Sequence, residues 1–259
     1  MPRLPVDVQA TLLTVGDELL SGDVENTNAT WLARQLAARG VSVERIAVVP
    51  DEVAVIADHV RRYADGFDAV IVTGGLGGTP DDVTMDAVAA AFDRSLTADE
   101  DALADVEETV AAYAEANPDR EIDVNVERHA SLPAGGRPIL NREGLSPGCV
   151  LENVYVLPGI PREMKPMFES VADEFAGAVR TRTLRTPLPE SEVTPVLEAA
   201  REELPKVALG SYPNRGDDPN RIKITAESAA AVDEAEAWLR EHLAIDGVEG
   251  DGGPGSGAA

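Results

Sequence analysis

Apolar and polar positions follow two alternating periods along the first half of this chain. Residues 8–15 form a mostly apolar run that predicts a strand ending at Gly16-Asp17-Glu18. Residues 28–39 place Trp31, Leu32 and Leu36 on one helical face and stop at Gly40. Residues 41–49 predict a second strand, ending at Pro50-Asp51-Glu52, and the next helix carries Val53, Ile56, Val60 and Tyr63 at helical spacing. The β-branched run at 69–72 then predicts a buried strand. Strands separated by helices need right-handed crossovers and so a parallel sheet, which binds ligands beyond the carboxyl ends of its strands. Those ends deliver Asp17-Glu18, Asp51-Glu52 and the loop from Gly74 to Asp82 to one edge of the fold.

That loop is the most informative stretch of the chain. Gly74, Gly75, Gly77 and Gly78 surround Leu76, and Thr79 and Pro80 follow as the expected N-cap and first position of a helix. Strand, glycine loop and helix N-terminus together cradle a phosphate through convergent backbone N–H groups. Asp81 and Asp82 place carboxylates where a phosphate would also sit, and a divalent metal between them relieves the clash. For Asp82, helix capping through the Thr79-x-x-Asp82 spacing stands level with a chemical role. The loop matches neither the GxxxxGK[ST] nor the GxGxxG pattern.

Further along, helices are expected over 83–92 and 99–115, the second with Leu103, Val106, Val110 and Tyr113 inward and an acidic, solvated outer face. Residues 149–157 read as two short strands about a Glu152-Asn153 turn. They end at Leu157-Pro158-Gly159-Ile160-Pro161 and lead into a helix with Met164, Phe168, Val171 and Phe175 on one face. A boundary falls near 178–183. Beyond it come strands at 183–188, 207–212 and 221–227 and helices at 190–204 and 229–243. The division is therefore an α/β domain over 1–178, a small α+β domain over 180–246, and a Gly-rich tail over 247–259 expected to be disordered.

Charge narrows the function. With 47 acidic and 22 basic residues the formal net charge is −25, and the only lysines are Lys165, Lys206 and Lys223. Such a surface opposes binding to nucleic acid or anionic membrane. In the C-terminal part Arg180, Arg182 and Arg185 form the one basic cluster. The pattern is similar to that of proteins from salt-loving cells, with a general acidic bias as the alternative. Cys149 is the only cysteine, so no intrachain disulfide is expected and a core position suits it. His59, His129 and His242 are scattered, which argues against a zinc site. No signal pattern or run of transmembrane length is present, and a cytoplasmic location is expected.

Four motifs together resemble the molybdopterin-binding fold shared by MoaB, MogA and the N-terminal region of the CinA (competence/damage-inducible) family. Gly16-Asp-Glu-Leu-Leu-Ser-Gly22 with Asn26 and Asn28 is similar to the CinA opening motif. The Thr73 to Thr84 segment resembles its central loop, with Gly78 at a usual proline. Asn141-x-x-Gly144-x-x-Pro147-Gly148 and Leu157-Pro-Gly-Ile-Pro-Arg-Glu-Met164 resemble two later signatures. Positions 180–245 resemble the small KH-like domain of CinA proteins, although Asn214-Arg-Gly-Asp217 is the nearest approach to a GxxG clamp. Residues beyond 246 hold no counterpart of the deamidase domain of many CinA proteins, so nicotinamide-nucleotide deamidation is not implied.

The resemblance implies a MoaB/Mog-like three-layer α/β domain with a mostly parallel sheet, and one site with two overlapping activities. One is metal-dependent hydrolysis of an ADP-ribose-type pyrophosphate, the preferred reading. The other is molybdopterin binding or adenylation with Mg-ATP, and a non-catalytic pterin-binding or assembly protein is the third. On this basis Asp82 and Asp51 are the catalytic candidates. Gly74, Gly75, Leu76, Gly77, Gly78, Thr79, Pro158 and Gly159 are the phosphate or ligand contacts. Asp82, Asp81, Asp17, Glu18 and Glu163 are candidates for a divalent metal such as Mg, with hydrogen bonding to loop backbone as the alternative for the last three. The expected partner is a small nucleotide or pterin, with homo-oligomerisation left open.

Overall fold

A computed structural model describes residues 8–120, 123–214 and 219–252. The chain divides into two compact units, one of residues 9–33 with 43–174 and the other of residues 34–42 with 175 onward.

The first unit is built on β1 (Gln9–Val15), α1 (Asp17–Ser21), α2 (Thr27–Ala38, of which 34–38 group with the other unit), β2 (Ser42–Val49, of which 43–49 belong here), α3 (Val53–Gly66), β3 (Ala69–Thr73) and α4 (Thr84–Ala91). It continues through β4 (Leu96–Ala98), α5 (Glu100–Ala116), α6 (Val126–His129), β5 (Ser131–Pro133), β6 (Arg137–Ile139), β7 (Gly148–Leu151), β8 (Val154–Leu157) and α7 (Pro161–Val171). Its main sheet has the order β2-β1-β3-β8-β7-β6. β3 runs parallel to both β1 and β8, whereas β7 and β6 turn the far edge antiparallel. The Glu152-Asn153 turn joins β7 to β8 as expected, with Glu152 in the left-handed region at φ 53°.

Alternation along the strands makes three layers. Leu13, Val15, Val70 and Val72 pack with Ile56, Val60 and Tyr63 of α3, Ala87, Val88 and Ala91 of α4, and Ala102 and Val106 of α5. The neighbouring strand positions Leu12 and Ile71 face the opposite way and are fully buried. On α2 and α7 the Trp31 and Phe168 rings meet edge to face, 5.5 Å between centroids. Cys149 is buried among the first group, and burial pushes its thiol up to about 12.

The helix expected from Thr79 and Pro80 begins later, at Thr84. Val83, at φ −120° and ψ 8°, keeps the chain out of helix until then. Residues 79–82 close a separate turn, with the Asp82 N–H donating to the Thr79 carbonyl at 3.0 Å.

The second unit contains β9 (Arg180–Thr186), α8 (Glu190–Glu203), β10 (Ala208–Tyr212), β11 (Asn220–Ala226), α9 (Ala229–His242) and β12 (Gly247–Gly252). Its antiparallel sheet runs β10-β11-β9-β12, and Leu184, Leu209, Ile222 and Ile224 pack with Val193, Leu197, Val232 and Leu239 of α8 and α9. The disorder expected from residue 247 is corrected over 247–252, which pair with β9 as an edge strand. Residues 253–259 lie outside the described part, as do 215–217 of the Asn214-Arg-Gly-Asp217 stretch. Arg182 is tied into this unit by ion pairs to Asp233 at 2.8 Å and Glu236 at 2.6 Å. No described helix is long and apolar enough to cross a membrane.

Candidate ligand site

In the main sheet the chain passes from β1 outward to β2 and then back across to β3, so the strand order reverses between β1 and β3. Such a switch point opens a crevice beyond the strand ends. The ends are joined tightly here. The Gly74 N–H donates to the Leu157 carbonyl at 3.1 Å, and the Thr73 hydroxyl donates to the Pro158 carbonyl at 2.8 Å. Gly74 has φ +112°, and a Cβ there would collide with the Val15 carbonyl oxygen. Thr84 turns the loop back, donating its N–H to the Gly75 carbonyl at 3.1 Å and its hydroxyl to the Gly74 carbonyl at 2.8 Å. The first N–H of α4 is thus committed to the loop, and the phosphate cradle expected at Thr79 and Pro80 is not a helix N-terminus.

Asp82 braces the loop: one of its carboxylate oxygens accepts from the Thr79 N–H at 2.9 Å and the Thr79 hydroxyl at 2.6 Å. It also lines a cavity of about 460 Å³, beside Gly75, Leu76 and Gly77. Met85 and Leu96 contribute apolar lining, and Asp86, Asn125, Arg128, His129 and Ser146 contribute polar groups. The size and mixed lining suit one small organic ligand. A second, smaller concavity of about 80 Å³ is lined by Thr14, Glu18, Asn28, Thr73 and Gly159. Asn28 donates to the Gly159 carbonyl at 2.7 Å, while its buried Oδ1 has no partner.

Asp51 lies beside the glycine loop, 3.5 Å from where a Cβ on Gly75 would stand, and accepts from the Asp17 N–H at 2.9 Å. Burial holds its carboxyl above the ordinary carboxylate range. The Asp17 N–H pulls it down, and the Asp17, Glu18 and Asp81 charges push it up again. Asp51 therefore binds its proton more tightly in the folded chain than in the unfolded one. Folding gains as pH falls through the folded pKa, and above that range the charge is carried at a cost. Asp51→Asn is accordingly expected to raise the melting temperature at pH 7, with the gain shrinking toward pH 3. Thermal melts at the two values check this; an equal shift at both would remove the electrostatic explanation.

Among the described residues no group of three or more His, Cys, Asp or Glu could hold an ion. Glu163 in particular is a brace: it is 7% exposed and accepts from the Asn141 side-chain amide at 2.9 Å. Asn141 is itself fully buried and donates to the Ser146 carbonyl at 2.9 Å. Glu163 lies in the first turn of α7 on its inward side, so its carboxylate secures the 141–146 loop. No step through a metal is drawn from this arrangement.

Sequence reasoning missed the cavity's second wall. Asn125, Arg128 and His129 come from α6 and the residue before it, a short element without hydrophobic periodicity. The only available signal was Ser146-Pro147-Gly148, a motif whose serine turns toward that wall.

The fold is a doubly wound, three-layer α/β domain whose strand ends frame a crevice at its switch point. Residues 11–177 match the family described as "Probable molybdopterin binding domain", and the chain belongs to that family. Residues 178–251 match the family described as "FAD synthase, middle domain". The chain is 38% identical over 248 residues to a CinA-like protein of Frankia casuarinae, covering 90% of this chain and 56% of that one. It is 35% identical over 206 residues to a protein of Archaeoglobus fulgidus, covering 79% and 86% respectively. Among solved structures, the protein CinA of Thermoplasma acidophilum, of unknown function by its description, aligns with a TM-score of 0.58 at 32% identity. That alignment covers 65% of this chain and 99% of that one. The C-terminal region is a distinct small β-rich unit.

Proposed function

We propose that the first unit binds a phosphate-bearing pterin of the molybdopterin type in the glycine-loop cavity. The observation that carries this is the position of the 460 Å³ cavity, set directly against Gly75, Leu76, Gly77 and Asp82. A family named for molybdopterin binding supports the ligand class. Backbone N–H groups of the glycine loop serve the phosphate, and the Asp82, Asp86 and Asn125 side chains offer acceptors to the heterocycle's N–H groups. The test is anaerobic titration of the purified chain with molybdopterin released from a molybdoenzyme, followed by pterin fluorescence after oxidation. Saturable one-to-one binding is expected; its absence would refute the proposal.

A second reading, hydrolysis of an ADP-ribose-type pyrophosphate, draws support from the Asn28 concavity. The two recesses draw on neighbouring residues of one strand end, Thr73 in one and Gly75 in the other, which suits a ligand with two heads joined by phosphates. The unpartnered Asn28 Oδ1 would accept from an amino group on one of them. Incubation with ADP-ribose and separation of AMP from ribose 5-phosphate separates this reading from pterin binding.

The charge pattern belongs with an adaptation to salt and a small-molecule partner rather than nucleic acid. At a net charge of −25, self-repulsion is strong in dilute buffer. At about 1 M salt the Debye length falls to roughly 3 Å, which removes most of it. The melting temperature is expected to rise between dilute buffer and molar potassium chloride. A flat or falling trend would argue against this account of the charge.

A further inference from the structure

His129 differs from the other two histidines. His59 and His242 each place Nδ1 against the carbonyl four residues earlier in their helices, at 2.8 and 2.7 Å, so their Nδ1 atoms carry the proton. His129 Nδ1 instead meets the Ser146 hydroxyl at 2.8 Å. Ser146 is only 9% exposed, and its hydroxyl has no other acceptor among the described residues. Were Nδ1 the donor, the buried hydroxyl proton would be left unpaired. Pairing both groups within the protein has the hydroxyl donate to Nδ1, which puts the imidazole proton on Nε2.

Nε2 is the edge that reaches the glycine loop. A Cβ built on Gly78 would stand 3.1 Å from it, tighter than an ordinary contact, so glycine at 78 gives the ring close access to the loop. His129 thus stands beside Gly78 and lines the same cavity as Gly77 and Asp82. Burial and the neighbouring Arg128 lower the imidazole's affinity for a second proton, with Asp82 acting weakly in the other direction. With Nδ1 accepting from Ser146, the neutral ring presents a single N–H donor at Nε2.

On the reading that this cavity takes a phosphate-bearing ligand, we propose that the Ser146-held Nε2–H of His129 donates to a phosphoryl oxygen of that ligand at the Gly77-Gly78 loop. His129 is then a ligand-contacting residue and Ser146 its positioning residue. The role needs a directional donor and no change in protonation.

The experiment is imidazole ¹⁵N NMR on the full chain, whose three histidines keep the spectrum simple. Before any ligand is added, His129 should show the Nε2–H tautomer and His59 and His242 the Nδ1–H tautomer. Titration with ADP-ribose, AMP and inorganic pyrophosphate should then shift His129 while leaving the other two unmoved. His129→Ala should weaken binding of the responding probe by about tenfold or more, the usual worth of a hydrogen bond to a charged group. His129→Gln, which restores an N–H donor, should recover part of it. Ser146→Ala should mix the two tautomers and weaken binding less than His129→Ala does. A His129 shift with pyrophosphate or AMP but not ADP-ribose supports this inference while rejecting ADP-ribose as the ligand. A probe that binds without moving His129, or the absence of any His129 response to all three at millimolar concentration, overturns it.

Discussion

Gly74→Ala is expected to lower stability by about 2–5 kcal/mol, combining overpacking with the cost of a left-handed backbone for a residue bearing a Cβ. The new methyl group would meet the Val15 backbone carbonyl, which cannot swing aside as a flexible side chain could. The two strand ends that frame the crevice, β1 and β3, would have to part, and the Gly74 hydrogen bond to Leu157 would go with them. A melting temperature lower by roughly 4–20 °C should result for a chain of this size. Gly66→Ala is the control. Its Cβ would meet nothing within 4 Å, and it lies in the last turn of α3. That change should be neutral or stabilise by up to about 1 kcal/mol. Equal losses in the two variants would show that the close approach at Gly74 is not the cause.

Asp82 has the largest expected effect on ligand binding. Asp82→Asn keeps an oxygen that can accept from the Thr79 N–H and hydroxyl, so the loop holds its shape while the charge disappears. Stability should change by less than about 1 kcal/mol, the scale of a single local hydrogen bond. Pterin affinity should fall by at least about tenfold if the carboxylate accepts from the heterocycle, since a bond to an ionised acceptor is worth about 1.5–3 kcal/mol. Asp82→Ala removes brace and charge together and should lose more of both. Binding by the Asn variant at wild-type strength, with loss only in the Ala variant, would make Asp82 a loop brace and nothing else. Titration and melting curves on the two variants distinguish these outcomes.

Much of the crevice was legible because its parts are local. Strand ends at Val15, Val49 and Thr73 follow from apolar runs stopped by Gly, Pro and Asp, and parallel pairing follows from the helices between them. The glycine loop announced itself by composition. What misled was the same stretch read as a helix start. Thr79, Pro80 and Asp82 carry good capping chemistry, and Asp82 does reach back to the Thr79 N–H, yet no helix follows until Thr84. The deciding contacts run from Thr84 back to Gly74 and Gly75, across nine or ten positions, and capping rules do not see them.

At Glu163 the sequence left a metal role and a hydrogen-bonding role both open, and the inward turn of α7 gives the carboxylate a bond from the Asn141 side chain, 22 positions earlier.

The sequence alone determined which segments form the strands and helices of the parallel core, that Cys149 lies inside it, and that a glycine loop stands at its mouth. Each of these depends on neighbours a few residues apart, where periodicity and backbone preference act directly. Only the tertiary structure decided the rest. The 247–252 segment has little strand propensity and becomes a strand because β9 offers it an open row of backbone partners. Asp17, Glu18 and Asp81, each far from Asp51 in the sequence, act together on its carboxyl only because folding brings their loops to one edge. His129, Ser146 and Gly78, separated along the chain, acquire meaning together only when folding sets an imidazole between a buried hydroxyl and a missing side chain.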